Sequence, residues 1–276
     1  MVMGIKYRFL LISLLISVIS FAQECTSCAK FYYKYRSQTD SLDSFSKRED
    51  LFVLMKKADS TVFTDVLNKK MDSMEVVIIE EINAGKRSSY SFKGVENPRN
   101  KYYIFKTLDK LESPMLIHDK IGNKKFSFYD DTKIDWTLSQ EKREIAGFIC
   151  QKATAFAFGR EWIAWFTSEI PMSDGPYKFR GLPGLIIEVY DDKKYFMFSL
   201  EKYSKEDQNV DLKIPKYRNK KVMTTTKEKF VIAKINYSEG TVSRLKNSMI
   251  SDQIPESRYR EIQENLKKKN NFLEKN

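Results

Sequence analysis

Gly175-Pro-Tyr-Lys-Phe-Arg-Gly-Leu-Pro-Gly-Leu-Ile186 is the stretch on which the fold turns. Pro183 holds φ near about −65°, and Gly184 supplies a positive φ, so Leu182 to Leu185 read as a type II turn. Gly181 lets the backbone approach a neighbour closely. Leu185 then opens a strand.

Hairpins lie on either side of this bend. Upstream, Gln151 to Phe158 and Glu161 to Ser168 flank Gly159-Arg160, which reads as a two-residue type II′ turn. That turn predicts a register in which Ala157 faces Trp162, Ala155 faces Ala164 and Ala153 faces Phe166. Large residues oppose small ones, leaving a shallow groove for a helix. Both faces are apolar, so the hairpin is expected to lie centrally and be covered twice. Downstream, Leu185 to Tyr190 and Tyr195 to Leu200 form a second hairpin, with Asp191 and Asp192 as ordinary turn residues; Asp130 and Asp131 read the same way.

Further out, Phe31 to Arg36 and Asp50 to Lys57 are strand-like, as are Tyr102 to Lys106, Leu116 to Ile121, Lys125 to Tyr129 and Lys133 to Leu138. Between Phe63 and Ile82 the period becomes helical. Val66, Leu67, Met71, Met74, Val77 and Ile78 share one face there, and Asn83-Ala-Gly85 ends the helix. Helices are also predicted near Thr226 to Ile235 and from Glu256 to about Lys268, with a fraying end from Lys267 to Asn276. The fold class expected is α+β, mainly β: a curved antiparallel sheet of consecutive hairpins with an amphipathic helix in the N-terminal third and a C-terminal helix. No linker or repeat divides it, so residues 23–276 are expected to form one domain whose segment from about 205 is polar and basic. Lys213 to Lys221 is the densest basic stretch.

The chain begins with the three parts of a secretory signal: Lys6 and Arg8, an apolar run from Phe9 to Phe21, and Ser20 and Ala22 at the exit. Cleavage is expected between Ala22 and Gln23. Gln23 and Glu24 before Cys25 do not suit a lipid-anchoring site. The apolar run is shorter than the roughly 20 residues that a membrane span needs, so no transmembrane segment is expected. The product is placed in the periplasm or at the cell surface.

Net charge is +11, and loss of the signal takes it to +9. Outside the cytoplasm the expected counter-charges are anionic headgroups or polysaccharide rather than nucleic acid.

Three cysteines allow at most one disulfide. Cys25 and Cys28 could form a structural disulfide, capture a soft metal such as copper(I), or act in redox chemistry. Cys150, between Ile149 and Gln151, reads as a buried strand residue; pairing with Cys25 or Cys28, or catalysis, are its alternatives. His118 is the sole histidine and sits in a strand-like run, which removes two-histidine zinc sites and weakens any nucleophile–histidine site. No phosphate-cradling loop is present.

The order Gly147, Cys150-Gln-Lys-Ala153, Gly159-Arg160, Ala164-Trp165-Phe166-Thr167, Ile170-Pro171, Gly175-Pro176 and Gly181-Leu-Pro-Gly-Leu-Ile186 resembles the GLPGLI family of exported proteins of Gram-negative bacteria. The resemblance implies an envelope location, a mostly antiparallel β fold and association with outer-membrane receptors. It carries no reaction and no cofactor. Cys150, Gly159, Trp165, Gly175, Pro176, Gly181, Leu182, Pro183, Gly184, Leu185 and Ile186 are therefore expected to be structural. The expected function is a non-enzymatic binding module for an apolar or peptide ligand or an outer-membrane partner, with thiol-based copper handling, or hydrolysis through Cys150, as alternatives. Oligomeric state is left open.

Overall fold

In the computed structural model, residues 28–89, 96–205, 210–213, 221–248, 251–268 and 272–274 are described. The predicted signal, Cys25 and most of the basic stretch from Lys213 to Lys221 lie outside them.

Alternation along β1 (Cys28–Gln38) puts Phe31, Tyr33 and Tyr35 on one face, and all three are buried. This strand lies mid-sheet. It pairs with β2 (Lys47–Lys57), which is followed by β3 (Ser60–Asp65), the helix α1 (Val66–Asn83) and β4 (Tyr103–Thr107). Next come β5 (Met115–Ile121), β6 (Lys124–Asp130), β7 (Thr137–Ile145), β8 (Phe148–Ala157) and β9 (Arg160–Thr167). After an irregular stretch the chain continues as β10 (Leu185–Asp191), β11 (Phe196–Lys205), β12 (Val222–Thr224), α2 (Lys227–Glu239), α3 (Thr241–Lys246) and α4 (Glu256–Lys268).

The twelve strands form one open sheet in the order β12-β6-β5-β4-β3-β2-β1-β11-β10-β9-β8-β7. Every neighbouring pair is antiparallel except β12 with β6. The mainly β class with several helices holds. Register shifts at Tyr32/Tyr33, between Ile186 and Glu188, and between Leu138 and Lys142 bend the sheet as bulges do.

The inner face carries the main core, in which Phe52, Phe63 and Phe198 pack with ring centroids 4.9–6.1 Å apart. The chain's own segment between β9 and β10 fills this face. Lys106 from β4 reaches across it to pair with Asp174 at 2.5 Å and donates to the carbonyls of Gly175 and Tyr177, while Thr61 Oγ1 donates to Asp174 at 2.6 Å. Tyr33 adds a bond to the Ile186 carbonyl at 2.7 Å. Buried charge of this kind persists only when fully partnered, and Lys106 and Asp174 are.

Several expectations are corrected. The hairpin of β8 and β9 turns at Phe158-Gly159, both with positive φ (54° and 69°), a type I′ geometry. Its register is thus two residues away from the expected one: Ala157 faces Arg160, Ala155 faces Trp162 and Ala153 faces Ala164. A shift of two preserves which side each residue faces. The alanine side is buried, but the irregular segment packs there rather than a helix, with Phe179 4.6 Å from Trp162. The hairpin lies next to the edge strand β7, not centrally, and Phe156 on its other face is 68% exposed.

The predicted strand from Lys133 to Leu138 is irregular up to Trp136; β7 begins at Thr137. Phe63 belongs to β3, not to the helix. Asp65 caps α1 by accepting from the Leu67 N–H at 2.9 Å. Of the apolar face expected there, only Ile78 is buried, and Val77 is half exposed. The helix is instead held to the sheet's outer face by polar residues: Asn68 donates to the Asn100 carbonyl at 2.7 Å, and Tyr103 donates to Asp72 at 2.5 Å.

Candidate functional site

The bend that decides the fold is shaped by space as much as by φ. Gly184 has φ of +151°, and a Cβ there would lie 2.0 Å from the Thr167 carbonyl oxygen. Its N–H donates to the Leu182 carbonyl, two residues back, and the Leu185 N–H goes to Ile170. The turn is therefore a γ-type turn about Pro183 rather than type II. At Gly175 a Cβ would lie 2.7 Å from that of Ile186, so close approach is the reason for glycine there. Gly181 corrects the expectation of close approach: at φ +99° its nearest neighbour would be an ordinary 3.8 Å away, and its conformation alone favours glycine.

Leu182, Leu185 and Ile186 are buried, whereas Pro183 is exposed. Pro176 accepts from the Phe179 N–H at 3.1 Å, and Gly159 sits in the β8–β9 turn. Trp165 is buried beneath the Arg143 guanidinium, 4.1 Å from its ring. Cys150 is a free, fully buried thiol, its sulfur 3.5 Å from the Phe148 carbonyl. Burial pushes the thiol up to about 11. Cys28 is disulfide-bonded. Among the described residues no group of three or more metal-binding side chains occurs.

Much of the inner face is filled, but a cavity of about 420 Å³ remains beside the open sheet. Tyr35, Tyr102, Tyr177, Phe128, Phe196 and Phe230 give it an aromatic lining, and Lys178, Lys227 and Lys234 bring cations to it. Its size and its apolar lining with a few converging polar groups suit a small ligand or a short peptide. Cys150 does not line it, nor do the other ten residues expected from the sequence to be structural; Tyr177 and Lys178, within the same stretch, do.

Two buried ion pairs organise the rim. Asp130, at the end of β6, accepts from Lys178 at 2.6 Å, from Lys227 at 3.2 Å and from both the N–H and the hydroxyl of Thr132. Burial alone would raise its carboxyl, but Lys178 and these hydrogen bonds outweigh it and hold the group below the usual carboxylate range. Asp191, at the end of β10, accepts from Arg160 at 3.1 Å and from the Phe196 N–H at 2.8 Å. Both aspartates are fully buried, so reading them as ordinary turn residues is corrected. Asp131 is exposed, in the irregular stretch after β6. At the mouth, Lys234 pairs with Asp119 at 2.6 Å.

Of the end expected to fray, residues 269–271 and 275–276 lie outside the described residues, but 272–274 are held. Phe272 to Glu274 dock at the cavity: the Phe272 carbonyl accepts from Arg160, and Glu274 accepts from Lys178 and Tyr177.

A family model described as a protein of unknown function (Porph_ging) matches residues 159–188. No curated protein matches the chain in sequence. Two solved structures of PNGF-II, in space groups P21 and C2, are similar in fold, with TM-scores of 0.51 and 0.50 at 11% and 12% identity. Each likeness covers 77% of this chain, and 34% and 33% respectively of the PNGF-II chains, so this chain spans about a third of their length. At that identity the similarity is one of fold. Tyr177 and Lys178, which line the cavity, and Arg160, which holds Phe272 beside it, all fall within the segment that the family model matches.

Proposed function

We propose that this chain is an exported envelope protein of the GLPGLI type that acts as a binding module, and that the cavity beside the open sheet holds its ligand. The observation that carries the reading is the cavity itself: aromatic walls with partnered lysines converging on it. The ligand is apolar or peptidic and is delivered to, or received from, an outer-membrane partner. Cys150 favours no hydrolase, because its thiol is protonated, fully buried and away from the cavity.

Native mass spectrometry of protein purified from the envelope tests this, with Val231→Trp as the cavity-filling control. The wild type is expected to carry an added mass that the folded variant lacks. A consistently ligand-free wild type, or the same mass on both proteins, would contradict it.

A further inference from the structure

The tail contact has a form that a simple clasp would not need. Arg160 donates through Nε and Nη2 to the Phe272 carbonyl, at 3.1 and 2.5 Å. Leu273 packs against the main core. Glu274 receives Lys178 Nζ at 2.5 Å together with the Tyr177 hydroxyl. Thus a backbone carbonyl, an apolar side chain and a carboxylate are read in succession. The Phe272 ring is 60% exposed and is not read.

Arg160 and Lys178 each have a carboxylate partner besides the tail. Arg160 keeps Asp191 and the face of Phe196, 4.6 Å away, and Lys178 keeps Asp130. Removing one partner of a buried pair is costly when it leaves a charge without any counter-ion; here Arg160 retains Asp191, and Lys178 retains Asp130, which it shares with Lys227. The cradle therefore persists when the tail leaves, which makes the tail exchangeable.

We propose that Arg160, Tyr177 and Lys178 form a recognition site for an extended peptide bearing an apolar residue followed by an acidic one, and that the chain's own Leu273-Glu274 is its resident occupant. The inference deepens the binding reading above by naming the ligand class, and it rests on that reading. A partner peptide binds by displacing the tail, so the unmodified chain binds more weakly than one whose tail has been released.

The test uses the full chain with Leu273→Ser and Glu274→Lys together, and with Leu273→Ser alone as a milder second variant. Circular dichroism establishes that each is folded. The probe is a fluorescein-labelled peptide Asn-Asn-Phe-Leu-Glu-Lys-Asn, followed by fluorescence anisotropy. The released variants are expected to bind it at least tenfold more tightly than the unsubstituted chain. Replacing Glu by Gln in the peptide, or adding Tyr177→Phe to the protein, is expected to weaken binding several-fold. Replacing the peptide's Phe by Ala is expected to change little. No saturable binding to either folded variant, equal binding of the Gln peptide, or equal binding by the unsubstituted chain would overturn the proposal. An apolar fluorescent probe run in parallel separates the two readings. If it enters the cavity while the peptide does not, the peptide class falls and the binding module stands; if neither binds, both fall.

Discussion

Gly184, Gly175 and Gly181 occupy one short stretch for three different reasons, and alanine at each should cost accordingly. At Gly184 a Cβ would overlap backbone at 2.0 Å, so Gly184→Ala is expected to lower stability by roughly 3 kcal/mol or more. Gly175→Ala meets a side chain that can yield, and about 1–2 kcal/mol is expected. Gly181→Ala meets only its positive φ, at about 1 kcal/mol. Urea unfolding of the three variants gives the order directly, and equal losses would refute it. Cys150 offers a second check: the folded protein should leave this thiol unlabelled by iodoacetamide at pH 7, with full labelling in denaturant. Local sequence showed the need for glycine in this bend and a strand setting for Cys150. It did not show the roles of Asp130 and Asp191. Each sits at a strand end beside another aspartate, as a turn residue does, while its cationic partners come from 48 and 31 residues away.

At the scale of elements, period and punctuation located most strands and helices, but their offsets depended on which residues form a turn. Phe158 adopts a positive φ that bulky residues rarely accept, so local propensity favours a turn at Gly159-Arg160, two residues out of the observed register. The helix α1 was offset for a related reason. Phe63 continues the helical period, yet it pairs with Leu54 and Ile104 in the sheet. The cap of α1 carries its own cost. Burial first, and then the charge of Asp50, push Asp65 up to about 6, and Asp65 Oδ2 has no hydrogen-bond partner. Between about pH 4, the unfolded value, and pH 6 the folded state holds a proton that the unfolded chain has released. Stability therefore falls as pH rises through that window, and the loss persists above it. Asp65→Asn keeps an amide oxygen as cap. It should leave stability unchanged near pH 4 and raise it by roughly 2 kcal/mol above pH 6; thermal melts across pH measure this, and a variant weaker at pH 7 would contradict it.

For the whole molecule, no local pattern announces that β1 lies between β2 and β11, or that the segment after β9 turns back to fill the sheet's inner face. Those contacts join residues far apart in sequence, such as Tyr33 with Ile186 and Lys106 with Asp174. An aromatic face is legible from alternation; that it is mostly occupied by the chain itself, with a cavity left over beside it, is not. The ion pair there should govern acid stability. Because the Asp130 carboxyl is held below its usual range, its contribution is complete above about pH 4 and is lost as pH falls further. Asp130→Asn is expected to cost roughly 3 kcal/mol at pH 7, with the difference from wild type shrinking below pH 4; a constant difference would argue against the pair.

Hydrogen exchange tests the central claim, that this cavity and not the glycine bend or the thiol is where the protein meets its ligand. Protein taken from the native envelope would be compared with the same chain refolded without ligand. Slower exchange in the native sample should be confined to residues 35–39, 48–50, 99–104, 117–119, 177–178 and 226–234 around the cavity. Identical exchange in both samples, or a change centred on Cys150 and strands β8 and β9, would contradict the claim.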